Sequence, residues 1–158
     1  MSRPQRISTC LWYDRSGEEA ATFYTLLFDN SRITSVSRYG KGASVPEGTA
    51  LLVEFTLDGV RFQALNGGPM FKLSEAASLS VRCDTQTEID RLWNALIAGG
   101  GAESRCGWLK DRFGLSWQIV PSMMATWMTD PMRAARVMAA FMPMNKLDIA
   151  TLEAAYRR

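Results

Sequence analysis

Histidine is absent from this sequence. Its absence excludes imidazole general acid–base catalysis, Ser–His and Cys–His nucleophilic systems, and the commonest zinc ligand. Cysteine is scarce, with three in 158 residues and no Cys-x-x-Cys pair. Three cannot all pair within one chain, so reduced thiols are expected. Neither sign of charge is in excess: 18 Lys and Arg against 16 Asp and Glu leave a net +2. That gives no strong pull on nucleic acid or an anionic membrane, and neither is expected as a partner. The basic ends, Arg3 with Arg6 and Arg157 with Arg158, read as solvated tails. No apolar run approaches the roughly 18 residues of a membrane span. The first residues lack an apolar signal region, so a cytoplasmic location is expected.

Apolar residues make up 47% of the chain and charged residues 22%, enough to build a sizeable core. The chain also repeats itself. Gly114-Leu-Ser-Trp117-Gln118-Ile119-Val120 matches Gly59-Val-Arg-Phe62-Gln63-Ala64-Leu65. Both read glycine, two variable residues, an aromatic, glutamine, then two apolar residues.

The elements before each copy recur in the same order. Residues 7–13 read as a strand. Ser16 with Glu19 has the spacing of a capping box, and Ala20, Phe23, Tyr24 and Leu27 then fall on one helical face. Residues 31–39 and 51–57 read as strands. Asp58-Gly59 is a hairpin signal, and 60–65 is the return strand. Asn66-Gly-Gly-Pro69 stops it. In the second half, 79–83 reads as a strand and Thr85 with Glu88 as a capping box. Ile89, Leu92, Trp93 and Leu96 form the helical face, and Gly99-Gly-Gly101 ends that helix. Residues 103–110 and 115–120 are the remaining strand candidates. Each half is therefore a βαβββ unit. After Pro121, seven of the nine methionines crowd a helical tail, whose last helix is expected over 145–156. Methionine suits irregular packing. The tail either caps its own module or forms a dimer contact.

These motifs resemble the vicinal oxygen chelate superfamily, which includes glyoxalases, extradiol dioxygenases and bleomycin-resistance proteins. The chain is most similar to its PhnB-like branch, many of whose members carry the name 3-demethylubiquinone-9 3-methyltransferase domain. The residues that carry the resemblance are Gly17-Glu-Glu-Ala-Ala with Phe23-Tyr24, Phe28-Asp-Asn-Ser-Arg32, and Ala64-Leu-Asn-Gly-Gly-Pro69. Cys83-Asp-Thr-Gln-Thr-Glu88 and residues 106–118 complete the set. The resemblance spans residues 7–121, with the tail expected to belong to it. It implies an α+β fold: two βαβββ modules, about 7–66 and 77–121, whose curved mixed sheets face each other to enclose a cup. Residues 1–121 are expected as one domain and 122–158 as a helical extension. A homodimer is implied as well.

Strand alternation points Phe62, Ala64, Trp117 and Ile119 toward the helices. Gln63 and Gln118 then point the other way, and are expected to face one shared cavity. In metal-using relatives, these two positions and one on the first strand of each half (near 7–9 and 77–79 here) hold the metal ligands. None of the residues present is a good divalent-metal donor, so no metal is expected. Gly99-Gly-Gly101 follows a helix rather than a strand, which does not suit S-adenosylmethionine, so no cofactor is expected either. Met70 stands where PhnB-like relatives often have histidine. Cys106 lies near Lys110 and Arg112 in sequence, a setting that favours a thiolate, and the alternative is a structural thiol at a turn. Glu54 is a carboxylate base only if it faces inward and is otherwise a solvated or paired surface residue, and Asp111 caps or pairs at the Gly114 turn. Trp12, Phe71 and Trp108 are candidate pocket walls, while Trp117 fits better in the core. The expected ligand-binding set is thus Gln63, Gln118, Trp12, Glu54, Met70, Phe71, Cys106 and Trp108. The leading expectation is a metal-free small-molecule binding protein. The alternatives are a metal-independent lyase, isomerase or transferase using Cys106 or Glu54, and an interaction subunit with a filled cup.

Overall fold

The computed structural model describes residues 5–158, so Arg3 lies outside it. The chain divides into two compact units, one ending at Leu73 and the other running Ser74–Arg158. In the first, β1 (Thr9–Tyr13), α1 (Gly17–Leu27), β2 (Arg32–Arg38), β3 (Ala50–Leu57) and β4 (Val60–Asn66) form a sheet in the order β1-β4-β3-β2. In the second, β5 (Ser78–Cys83), α2 (Gln86–Ile97), β6 (Ala102–Glu103), β7 (Trp108–Lys110) and β8 (Ser116–Pro121) form one in the order β5-β8-β7-β6. In each, the first strand runs parallel to the last and the other pairs are antiparallel. The βαβββ repeat read from the sequence is therefore the repeat of the fold.

Alternation along the twin strands builds each core. Phe62 and Ala64, with Val53 and Phe55 of β3, are buried on the face that carries Ala20, Ala21 and Tyr24 of α1. Trp117, Ile119 and Leu109 are buried on the face that carries Ile89, Leu92, Trp93 and Leu96 of α2. Burying a side chain of this size contributes roughly 1.5–3 kcal/mol. Asp58 (φ 45°) and Gly59 (φ 77°) form the two-residue hairpin loop that their types favour.

Several local expectations are corrected. The first strand starts at Thr9 rather than residue 7, and Ile7 is exposed. Residues 103–110 are two short strands, because Cys106 (φ 61°) and Gly107 (φ 80°) turn the chain in left-handed geometry. Ser16 makes no side-chain cap, because its ψ of 8° is not the extended value that aims an N-cap oxygen at the first turn. Instead Asn66 Oδ1 accepts the Gly17 N–H at 2.8 Å from the end of β4. Thr85 does cap as expected: its Oγ1 accepts from Glu88 N, while Glu88 Oε2 accepts from Asp84 N.

The tail forms α3 (Met124–Trp127), α4 (Pro131–Phe141) and α5 (Ile149–Arg157). The last begins four residues later than expected, where Asp148 caps it through Thr151 N. Trp127, Val137, Leu147 and Leu152 make a second core in this unit, with Val120 of β8 packed against it. The connection before α5 is held by Gln86 of α2, which donates to Leu147 O and accepts from Ile149 N. Cys106 N and Gly107 N donate to Met144 O and Asn145 O. A Cβ on Gly107 would lie 2.8 Å from Ile119 O, so only glycine lets this turn close against β8. The inner face of the tail thus caps its own module. Met132 and Met142 remain exposed on it. Among the described residues, no helix is long and apolar enough to cross a membrane.

Candidate functional site

Each sheet has one face covered by its own helix, α1 or α2, and one free of that helix, although at Val120 the second sheet's free face meets the helical tail. Register places a defined row of side chains on each helix-free face. In the first unit Gln63 pairs with Cys10 on one side and Glu54 on the other, and Glu54 pairs with Ser35. The row Cys10–Gln63–Glu54–Ser35 therefore crosses all four strands. Glu54 accepts from Ser35 Oγ at 2.8 Å and from Gln63 Nε2 at 3.4 Å, and Arg61 Nη2 lies 3.8 Å away. These bonds, led by that from Ser35, hold the carboxyl below the usual glutamate range. A carboxylate so satisfied is a weak general base.

The next row holds Trp12, Leu65, Leu52 and Ser37. Trp12 Nε1 donates to Gly68 O at 2.9 Å, and its ring meets the edge of Phe71 at 5.0 Å. A Cβ on Gly67 would fall 2.3 Å from the indole, so Asn66-Gly-Gly-Pro69 is the seat for Trp12. Met70 is 78% exposed beyond it. The fold therefore brings Gln63, Glu54 and Trp12 onto one face and keeps Phe71 at its rim.

In the second unit Gln118 pairs with Ser80 and with Trp108. Its Nε2 donates to Ser78 Oγ at 2.9 Å. Gln118 and Trp108 share the helix-free face, as their strands required. Cys106 does not join them. It sits in the β6–β7 turn with its Sγ 3.7 Å from Met142 O and 3.9 Å from Met142 Sδ. Asp111 is buried, with its carboxylate taken by Phe113 N, Leu115 N and the Trp117 indole, which fixes the Gly114 turn as expected. Sequence reasoning missed Ser35, Ser78, Ser80, Lys110 and Ser116 on these faces. Only Ser116 carried a sequence signal, lying two residues from Gln118 on one strand; the others are placed by register across strands, which the sequence does not show.

The first-strand residues beside the two glutamines are Cys10 and Ser80, slightly later in the chain than the positions expected at 7–9 and 77–79. Cys10 is solvent-exposed, yet the strand atoms around its sulfur desolvate it enough to raise the thiol pKa. Neither pair, a thiol beside an amide in the first unit or a hydroxyl beside an amide in the second, fits a divalent cation. Among the described residues no group of three His, Cys, Asp or Glu could hold one. Nor does Gly99–Gly101 fit a nucleotide cofactor: it closes α2 and enters β6 rather than leading a strand into a helix.

The sequence model of the 3-demethylubiquinone-9 3-methyltransferase family matches residues 5–120. The chain belongs to that family. The PhnB protein of Bacillus cereus is 37% identical and superposes with a TM-score of 0.68, covering 73% of this chain and 99% of that one. Protein PA1353 of Pseudomonas aeruginosa, 19% identical, superposes at 0.60 over 74% of this chain and 98% of its own. The fosfomycin resistance protein FosX of Listeria monocytogenes, 11% identical, superposes at 0.57 over 80% and 98%. The last two show the fold alone, which is that of the glyoxalase and bleomycin-resistance proteins. The match to PhnB makes this a PhnB-like member of that family. No curated protein matches the chain. The family match stops at residue 120, so α3, α4 and α5 lie beyond it, contrary to the expectation that the resemblance extends into the tail.

Proposed function

We propose that this PhnB-like protein binds a small organic molecule without a metal, using Gln63 and Gln118 to orient it. The observation that supports this most directly is the repeated placement of a half-buried amide on the helix-free face of each module. An amide offers one acceptor and two donors, so it orients a polar ligand without contributing charge. Trp12 and Trp108 supply apolar surface beside the two amides. Glu54 and Cys106 are engaged by Ser35 and Met142, which favours binding over acid–base or thiolate chemistry. Cytoplasmic residence and a homodimer are part of the same reading. Exposed Met132, Met138 and Met142 give the tail an apolar outer surface suited to a second copy. Light scattering at micromolar concentration should report twice the chain mass, and a monomer would remove the dimer from the proposal.

The test is direct. Purified protein is equilibrated with a small-molecule cell extract, desalted and examined by native mass spectrometry. A reproducible added mass of small-molecule size is expected. Its absence under conditions that preserve the fold would count against a binding function.

A further inference from the structure

Ser116 is a buried hydroxyl without a partner. Its side chain is only 1% exposed, and its Oγ has no hydrogen-bond partner among the described residues. Leaving such a group unbonded costs stability, and native structures do it rarely. Register sets Ser116 directly beside Lys110 of β7 and Ser78 of β5, on the helix-free face of the second module. Ser116, Lys110 and Trp108 line a cavity of about 200 Å³ on that face. The Lys110 ammonium is already paired with a carboxylate, that of Glu75, from the segment just before β5. Glu75 is the more exposed partner at 65%, and the pairing holds its carboxyl below the usual range. The other carboxylate at this cavity, Glu103, faces the helix side, where Trp93 Nε1 and Asn145 Nδ2 donate to it.

We propose that Lys110 and Ser116 form a recognition site for the carboxylate of a small organic acid, and that Glu75 occupies it until the ligand arrives. Cross-strand neighbours hold their Cβ atoms about 4.5–5.5 Å apart, so one carboxylate can take a bond from the ammonium and another from the hydroxyl. Glu75 shows that Lys110 pairs with a carboxylate at this cavity, while Ser116 Oγ is left for a ligand oxygen to bond. Trp108 sets an indole beside that position for the apolar body of the acid. The proposal rests on the reading of this chain as a small-molecule binding protein and names the ligand class.

The probes are benzoate, its neutral counterpart benzamide, and inorganic phosphate, titrated at constant ionic strength into the full chain. The readout is the Trp108 indole N–H resonance, assigned by its loss in Trp108→Phe. Benzoate should shift it in a saturable way, benzamide should not, and phosphate should act more weakly. Lys110→Met should weaken benzoate by about tenfold or more, and Ser116→Ala by about fivefold. Glu75→Gln should tighten it several-fold by removing the competitor. Ser116→Ala should also leave the thermal midpoint unchanged or raised, since it deletes an unsatisfied group. A purely structural serine would lower the midpoint and leave benzoate affinity intact, which would overturn the proposal. So would equal binding of benzamide, phosphate stronger than benzoate, or a benzoate shift undiminished in Lys110→Met. If benzoate fails while an extract-derived ligand still requires Gln118, this proposal falls and the binding function stands.

Discussion

The Asp111 carboxylate accepts the Trp117 indole N–H at 2.9 Å, while its other oxygen takes Phe113 N and Leu115 N. One buried side chain thus joins the Gly114 turn to the core of the second module. Asp111→Ala strips partners from three donors, each costing roughly 1–3 kcal/mol if it stays buried. Allowing for local relaxation, a loss near the top of that single-donor range, about 3 kcal/mol, is expected in urea unfolding. Asp111→Asn should cost less, because its carbonyl oxygen can keep part of the set. An unchanged urea midpoint for Asp111→Ala would contradict the assignment.

The two helices differ in what caps them, and paired substitutions separate the cases. Asn66 accepts from Gly17 N and donates to Ala50 O, both buried contacts. Asn66→Ala should therefore destabilise by about 2 kcal/mol, while Ser16→Ala should cost less than about 0.5 kcal/mol. Thr85→Ala, at a side-chain cap, should cost about 1 kcal/mol. Equal effects of the Ser16 and Thr85 changes would show that Ser16 caps after all.

Glu54 gives a pH prediction. Its folded pKa is lowered by Ser35 first and Gln63 second, so the folded state holds the ionised form better than the unfolded chain does. The stabilisation is complete above the unfolded value of about 4.3 and is lost as pH falls through the lower folded value. Carboxyl-detected NMR should place the Glu54 midpoint below 4.3, an unperturbed glutamate being at about that value. Ser35→Ala should raise it, and Gln63→Leu should raise it less. A Glu54 midpoint that both substitutions leave in place would sever the row.

Much of this was legible in the sequence, for reasons that can be located. Alternation around Phe62-Gln63 and Trp117-Gln118 fixed which side chain faces the helix, because a strand has a period of two. Asp58-Gly59 announced its hairpin through the left-handed geometry that those residues tolerate. The Ser16 cap failed because capping depends on a backbone angle that Ser-x-x-Glu spacing does not carry. Its replacement, Asn66, lies 49 residues from the Gly17 N–H that it accepts. Residues 103–110 look strand-like by composition, and only the left-handed pair at Cys106 and Gly107 divides them. The Ser116–Lys110 pair was hidden because neither residue is unusual alone. Register across β7 and β8 is what makes them neighbours.

The most direct test of ligand orientation by the twin glutamines is calorimetric titration of the extract-derived ligand into the wild type, Gln63→Leu and Gln118→Leu. Leucine keeps the approximate bulk and removes the amide. Each substitution should weaken binding by about 1 kcal/mol or more, the worth of a hydrogen bond to ligand. Thermal midpoints should stay near that of the wild type. Affinity unchanged in both variants, with stability altered instead, would show that the amides only fill their faces and would contradict the account.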